Sequence, residues 1–172
     1  MSQIQLIETH YSKYLHEATL ENAVSELAEA LDSGIDAMKD FSEERAEHAR
    51  DTGKWTPKQL LGHLIDSAVN NHQRFVRAQI SAHLKNGVLE IDGYAQNDWV
   101  AVNHYTTRDW GELLELWDAL NTHILHVMDN VDTSKLQTHV KISGGDAITL
   151  EALIIDYVGH LKHHLAQILE QA

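Results

Sequence analysis

Apolar side chains recur at intervals of three and four residues in four long stretches of this chain, and that spacing is typical of one face of an α-helix. The second and fourth stretches have clear start signals, since Thr56 and Thr149 are suited to cap a helix. Pro57 follows at the first helical position, and Gln59 completes a capping box with Thr56. The pattern predicts an all-α fold, a four-helix bundle with helices over residues 19–39, 56–82, 107–130 and 149–169.

Two long connections separate these helices, one between the second and third and one between the third and fourth. The first connection, residues 84–106, contains a short helical pattern at residues 97–101. The second, residues 132–148, contains an extended stretch at residues 138–142 and a turn at Gly144-Gly145. Connections of this length permit parallel as well as antiparallel neighbours. The bundle therefore need not have a simple up-and-down order.

The composition is that of a folded, acidic protein. Hydrophobic residues make up 43% of the 172 residues, and 13 Lys and Arg face 26 Asp and Glu, for a net charge of −13 with histidine neutral. Such a surface repels nucleic-acid backbones and anionic lipid, so we expect neither nucleic acid nor a membrane as partner. Nothing in the composition marks a domain boundary, and residues 1–172 are expected to form one domain.

Two absences from the sequence bear on location and chemistry. Residues 1–10 lack the basic and apolar regions of a secretory signal, and we expect a cytoplasmic protein. The chain has no cysteine, so it offers neither a disulfide nor a thiolate ligand nor a cysteine nucleophile. Any sulfur in its chemistry must come from a substrate.

Two histidines of the last predicted helix, His160 and His164, are four residues apart, so both imidazoles lie on one face and can reach one metal ion. In a chain with 13 histidines such a pair also arises by chance. The alternative is two partly buried histidines hydrogen-bonded to neighbours, and Asp156 and Gln167 could serve either arrangement. His163 turns away by about a quarter of a turn, which makes it a surface or rim residue.

A polar stripe spaced by threes and fours runs along the second helix, formed by His63, Ser67, Asn70 and Arg74. This stripe either faces water or lines a polar cavity at one end of the bundle. In the second case His63 is the candidate third ligand. Asp66 lies about 60° around the helix from His63, close enough to accept a hydrogen bond from an imidazole or to act through a water.

Four short motifs occur in a characteristic order over residues 54–168. With this order and spacing, the chain resembles the DinB/YfiT-like metal-dependent proteins, a family that includes bacillithiol S-transferases and, more distantly, mycothiol-dependent maleylpyruvate isomerases. The motifs are Lys54-Trp55-Thr56, Gly62-His63-Leu64-Ile65-Asp66-Ser67, Gly93-Tyr94 with Trp99, and His160-x-x-His163-His164-x-x-Gln167-Ile168.

The resemblance implies a four-helix bundle that binds one divalent metal through one histidine of the second helix and an H-x-x-x-H pair of the last. At the matching positions these ligands are His63, His160 and His164. The resemblance also implies a thiol S-transferase in which a small-molecule thiol, such as bacillithiol, attacks a small electrophile. A homodimer is expected on the same basis, and from apolar residues outside the four helical stripes.

Ligand chemistry leaves the reaction and the metal open. Three neutral imidazoles suit zinc or nickel, and iron or manganese if carboxylates or waters are added. The alternatives to thiol transfer are hydrolysis by a metal-bound water, with Asp66 as base, and a binding protein without catalysis. Asn70 and Arg74 are candidate substrate contacts, as is Trp99 in the long connection. The other tryptophans are expected in the core or at helix junctions: Trp55, Trp110 and Trp117.

Overall fold

A computed structural model describes residues 18–170, and the expectation about a signal at residues 1–10 lies outside the described residues. Four long helices dominate this part of the chain, as the hydrophobic pattern predicts. Two short helices and three short strands occupy the connections. The elements are α1 (Leu20–Met38), α2 (Glu43–Glu47), α3 (Pro57–Ala78), β1 (Val88–Ile91), α4 (Gln96–Val102), α5 (Trp110–Asp129), β2 (His139–Ile142), β3 (Ala147–Thr149) and α6 (Leu150–Glu170).

The starts of the long helices follow their capping residues. The Thr56 side chain accepts a hydrogen bond from the Gln59 amide, and the Gln59 side chain accepts one from the Thr56 amide, which completes the predicted capping box. Helix α5 begins at Trp110, two or three residues later than predicted, because Asp109 is its cap and accepts from the Glu112 amide.

Helix α3 ends at Ala78, earlier than the predicted residue 82. The Gln79 side chain donates back to the Phe75 carbonyl and accepts from the Asp132 amide, and Ile80 is extended. The chain therefore turns away from the helix axis and continues in a 3-10 turn, Ser81–His83.

The four long helices pack so that α1 and α3 each contact α5 and α6. Helix α1 therefore lies diagonally opposite α3, and α5 lies diagonally opposite α6, whereas the consecutive helices α3 and α5 are neighbours. Connections of this length permit such an order. The apolar stripe of α6 faces this core, and Leu161 and Ile168 are fully buried. Trp117 is also fully buried, and Trp110 donates its indole N–H to the Met38 carbonyl at 2.9 Å.

A small sheet joins the two long connections. Strand β1 pairs parallel with β2, and β2 pairs antiparallel with β3. Only the β2 stretch was predicted from sequence. Leu89 of β1 and Val140 of β2 are fully buried and anchor the sheet to the core. The sheet ties the segment before α4 to the segment before α6, and both segments border the site described next. None of the described helices is long and apolar enough to cross a membrane.

An ion cluster fixes the start of α3, the helix that carries His63. The Lys58 side chain is 2% exposed, and its ammonium contacts Glu43 and Glu47 of α2. Glu43 also accepts a hydrogen bond from the Trp110 amide at 2.7 Å. These contacts lock α2, α3 and the start of α5 together at one end of the bundle.

Candidate metal centre

Three histidines from two packed helices converge at one point of the bundle. His63 comes from α3, whereas His160 and His164 come from successive turns of α6. The Nε2 atoms of His63 and His160 are 3.2 Å apart, and one ring nitrogen from each of the three residues lies within 4.8 Å of the others. Among the potential ligands that the structure describes, these three histidines form the group that could hold a metal ion.

The spacing of these nitrogens fits a shared cation. Two nitrogens bound at about 2.1 Å to one tetrahedral ion lie about 3.4 Å apart. The 3.2 Å between His63 and His160 is close to that separation. A hydrogen bond between the two Nε2 atoms is the alternative, but it would leave the third imidazole of the group, His164, without a role in it.

Burial keeps the three imidazoles neutral, as metal binding requires. Loss of hydration lowers the pKa of His63 to about 4 and that of His160 to about 3, and the charge of neighbouring histidines adds to the effect. Burial lowers the pKa of His164 to about 4, although the hydrogen bond that its ring donates to Gln167 acts in the opposite direction. All three therefore present lone pairs at neutral pH.

Neighbouring side chains orient two of these rings. His164 Nδ1 donates to Gln167 Oε1 at 2.8 Å, which leaves the lone pair on Nε2. His160 Nδ1 lies 3.5 Å from Ser67 Oγ. His63 is fully buried beside Trp55, with 5.2 Å between ring centroids, and its Nδ1 atom has no hydrogen-bond partner. Trp55 is half-buried, packs against the core directly before the cap of α3, and lies beside the candidate site, which agrees with its expected place at a helix junction.

His163 lies outside the group of three. Its ring is 5.0 Å from that of His164, and its Nε2 contacts Gln167 at 3.1 Å. The doublet His163-His164 therefore separates into one residue that points to the site and one that lies at its rim, as helix geometry predicts.

Asp66 forms a buried polar cluster beside the histidines. Its Oδ1 accepts hydrogen bonds from the Tyr105 hydroxyl at 2.6 Å and from Asn103 Nδ2 at 3.0 Å, while its Oδ2 is buried without a hydrogen-bond partner. Burial raises the pKa of the carboxyl against these two hydrogen bonds. Neither Tyr105 nor Asn103 was singled out from sequence, because both lie in the irregular connection, where no periodicity points to them.

Gly62 explains how Tyr105 reaches Asp66. A Cβ atom at position 62 would lie 2.1 Å from Cδ2 of the Tyr105 ring. The ring therefore lies directly on the backbone of α3, where only glycine leaves room for it. The glycine before His63 thus serves the Asp66 cluster and not the metal ligands themselves.

The polar stripe of α3 faces inward, so the water-facing alternative is wrong for most of it. Ser67 is 3% exposed and Arg74 is 7% exposed, and Arg74 Nη1 donates to Asn71 Oδ1 at 3.1 Å. Asn70 is half-buried and donates to the Asp66 carbonyl. Burial lowers the pKa of the Arg74 guanidinium, and the charges of Tyr94 and Asp156 act in the opposite direction.

A cavity of about 940 Å³ opens on the other side of this stripe. Tyr94 and Trp99 form one wall, with ring centroids 4.9 Å apart, and Asn70 lies on the opposite side. Burial raises the pKa of the Tyr94 hydroxyl and the nearby Ser67 hydroxyl lowers it, so the end of this ring lies close to Ser67, the neighbour of His160. The sequence pointed to Asn70 and Trp99 here, whereas Arg77 and Lys141, which also line the cavity, were missed.

Comparison with known sequences places these features in one family. The family model of the DinB superfamily matches residues 20–168, which confirms the resemblance drawn from the sequence motifs. A Bacillus licheniformis protein is 23% identical over 171 residues, covering 98% of this chain and 94% of its own length. YfiT of Bacillus subtilis is 28% identical over 154 residues, covering 88% of this chain and 79% of its own. Both are provisionally named metal-dependent hydrolases.

Two solved structures share the fold. Bacillus subtilis YfiT superimposes with a TM-score of 0.70 at 22% identity, over 99% of this chain and 87% of that one, and is described as an unusual four-helix bundle. A mycothiol-dependent maleylpyruvate isomerase superimposes with a TM-score of 0.72 at 12% identity, over 90% of this chain and 62% of that one. These alignments confirm the predicted four-helix bundle, to which the small sheet is added.

Proposed function

We propose that this chain, which belongs to the DinB superfamily, is a metal-dependent enzyme that joins a small-molecule thiol to a small electrophile. The observation that carries the proposal is the group of three neutral histidines whose ring nitrogens lie within 4.8 Å of one another. Related proteins are provisionally named for metal-dependent chemistry. Zinc or nickel is the ion that three imidazoles suit best.

The chain's own residues have separable tasks in this proposal. His63, His160 and His164 would hold the ion, and Gln167 keeps one ring turned toward it. A divalent ion held by neutral ligands supplies Lewis acidity, which favours the deprotonated form of a thiol beside it. Asp66 offers a proton acceptor at Oδ2, the buried carboxylate oxygen that has no hydrogen-bond partner.

The thiol assignment has two supports. The chain contains no cysteine, so the sulfur nucleophile has to be a substrate. One protein with this fold is a mycothiol-dependent isomerase, an enzyme whose chemistry uses a small-molecule thiol. Hydrolysis is the second candidate, since the related bacterial proteins are provisionally named hydrolases.

The test uses protein stripped of metal and then loaded with zinc, nickel, iron or manganese. Each form is incubated with a thiol and iodoacetamide, and loss of free thiol is measured. Because the protein has no cysteine, every thiol lost belongs to the added compound. We expect metal-dependent consumption that His164→Ala abolishes, together with most of the bound metal, while the neighbouring control His163→Ala retains both.

The outcomes separate the two candidates. Metal-dependent cleavage of an activated ester without thiol consumption would favour hydrolysis and overturn the transferase. Metal bound at about one equivalent by all four single histidine variants, including His63→Ala and His160→Ala, would refute the ligand assignment itself.

A further inference from the structure

The cavity beside the three histidines has the size of a small-molecule site. Its volume of about 940 Å³ lies near the upper end of the range of about 300–1,000 Å³ found for ligand pockets. It lies between α3, strand β1 and the turn that follows β2. None of the three histidines lines it, and the three-histidine site does not account for it.

Two cations of the cavity wall lack a carboxylate partner, although the chain is strongly acidic. Six of the ten other lysines and arginines that the structure describes pair with carboxylates, as in Lys39–Asp36 and Arg108–Glu112. Arg77 of α3 and Lys141 of β2 form no salt bridge with any residue that the structure describes, although Glu90 is the register partner of Lys141. The cavity wall therefore carries two cations that no described carboxylate contacts within salt-bridge distance.

The cavity wall also carries two acidic side chains, Glu90 and Asp92, which restrict the class of anion that can bind there. Glu90 lies 3.6 Å from Lys85 and is partly neutralised by it, whereas Asp92 forms no salt bridge within the described residues. A doubly charged phosphate would be repelled by Asp92 more strongly than a carboxylate would. The side-chain amides of Asn70 and Gln73 add hydrogen-bond donors to the same wall.

An aromatic surface covers the cavity on the side of α4. Tyr94 and Trp99 are in contact there, and Trp99 remains 38% exposed, so part of its indole is open to a ligand. The segment is held in place, because the Gly93 amide donates to Ser143 Oγ at 2.6 Å and the Ser143 amide donates to the Ile91 carbonyl. The cavity wall is therefore built from anchored backbone.

Tyr94 connects this cavity to the three-histidine site. Its hydroxyl lies near Ser67, whose Oγ is 3.5 Å from His160 Nδ1. A ligand lying against Tyr94 is thus separated from the three histidines by the side chains of Tyr94 and Ser67. The cavity and the three-histidine site are therefore neighbours along α3.

We propose that the cavity binds the carboxylate-bearing part of the substrate that reacts at the three-histidine site. Arg77 and Lys141 receive the carboxylate, the amides of Asn70 and Gln73 bind its polar neighbours, and Trp99 covers its apolar portion. This assignment rests on the proposed function and names the class of molecule that the function uses: a small organic acid.

Binding is measured first, by calorimetry on zinc-loaded protein with N-acetylalanine and with its neutral amide. Neither compound has a thiol, so the result does not depend on catalysis. We expect the acid to bind at least about ten-fold more tightly than the amide, and Arg77→Gln or Lys141→Gln to remove most of this preference. Lys39→Gln changes the net charge equally at a distant exposed site and should preserve it.

Catalysis is measured second, as thiol consumption with N-acetylcysteine and with its amide. Arg77→Gln should raise KM for the acid about ten-fold while leaving kcat and the KM of the amide unchanged. Equal affinity for acid and amide in the parent protein, or tighter binding of inorganic phosphate than of the acid, would overturn the proposal. Metal-dependent turnover without a preference for the acid would refute this proposal alone, whereas selective binding without turnover would refute the proposed function alone.

Discussion

Gly62 offers a sharp test of how the site is built, because its missing side chain is what admits Tyr105. In Gly62→Ala the new Cβ would lie 2.1 Å from the Tyr105 ring, far inside van der Waals contact. Tyr105 must then shift, and its 2.6 Å hydrogen bond to Asp66 is lost. The variant should therefore be destabilised even though alanine is the better helix former.

The size of the effect follows from three contributions. Overpacking costs about 1–3 kcal/mol, and loss of a hydrogen bond to a buried carboxylate about 1.5–3 kcal/mol. Alanine regains about 1 kcal/mol of helix propensity. We expect a net loss of about 1.5–5 kcal/mol in the free energy of unfolding, and a fall in Tm on the order of 10 °C. Both are measured by urea and thermal denaturation followed by circular dichroism.

Two further variants make the reasoning refutable. Gly111→Ala is the matched control, because Gly111 is an exposed helical glycine whose Cβ would meet only the Asp109 carboxylate at 3.1 Å. Its stability should stay the same or rise by up to about 1 kcal/mol, because the same gain in helix propensity applies there without the ring contact. In a Tyr105→Ala background the clash is gone, so adding Gly62→Ala should cause no further loss. An equal loss in both backgrounds would show that the ring contact is not the cause.

Three other expectations concern the metal ligands and Asp66. In metal-free protein, the free energy of unfolding should fall as the pH drops from 6.5 towards about 4, because unfolded His63 takes up a proton that the buried ring, with its pKa of about 4, does not. Urea titrations at several pH values should show that the free energy of unfolding of His63→Ala depends less steeply on pH. Gln167→Ala should weaken metal binding by about 10–100-fold in chelator competition, and unchanged affinity would contradict its role in orienting His164. Asp66→Asn should retain metal yet lower kcat for thiol transfer by about 100-fold, and an unchanged kcat would exclude Asp66 as proton acceptor.

The long helices were predictable because local signals agree with the global fold. Thr56 and Thr149 stand where the hydrophobic pattern begins, and both side chains accept hydrogen bonds from amides three residues later. The ends were less predictable. Helix α3 stops early because Gln79 bonds to Asp132, a residue 53 positions away that no local pattern reveals.

The sheet was not predicted because it, too, depends on contacts between residues far apart in the sequence. All three strands are short, with four, four and three residues, and only the stretch of β2 looked extended in the sequence. The pairing of Val88 with His139 joins two distant connections, so neither strand is stable without the other.

The histidines of the candidate site were found from spacing and motif, but their surroundings were not. Helix geometry left both alternatives for His63 open, the water-facing one included, and the packing of α3 against α6 turns it inward. The partners of Asp66 are Asn103 and Tyr105, which lie in a connection whose path depends on the finished bundle. Sequence therefore identified the candidate ligands, and the tertiary structure shows the groups that surround them.

The diagonal order of the helices also has a consequence for biosynthesis. His63 and His160 are separated by 97 residues, and the chain between them forms both connections and α5. A nascent polypeptide holds His63 long before its two companions exist, so it offers a cation only one of the three imidazoles. On the proposed function, all three imidazoles can bind one ion only after α6 has docked against α3, and occupancy of the site would report that folding is complete.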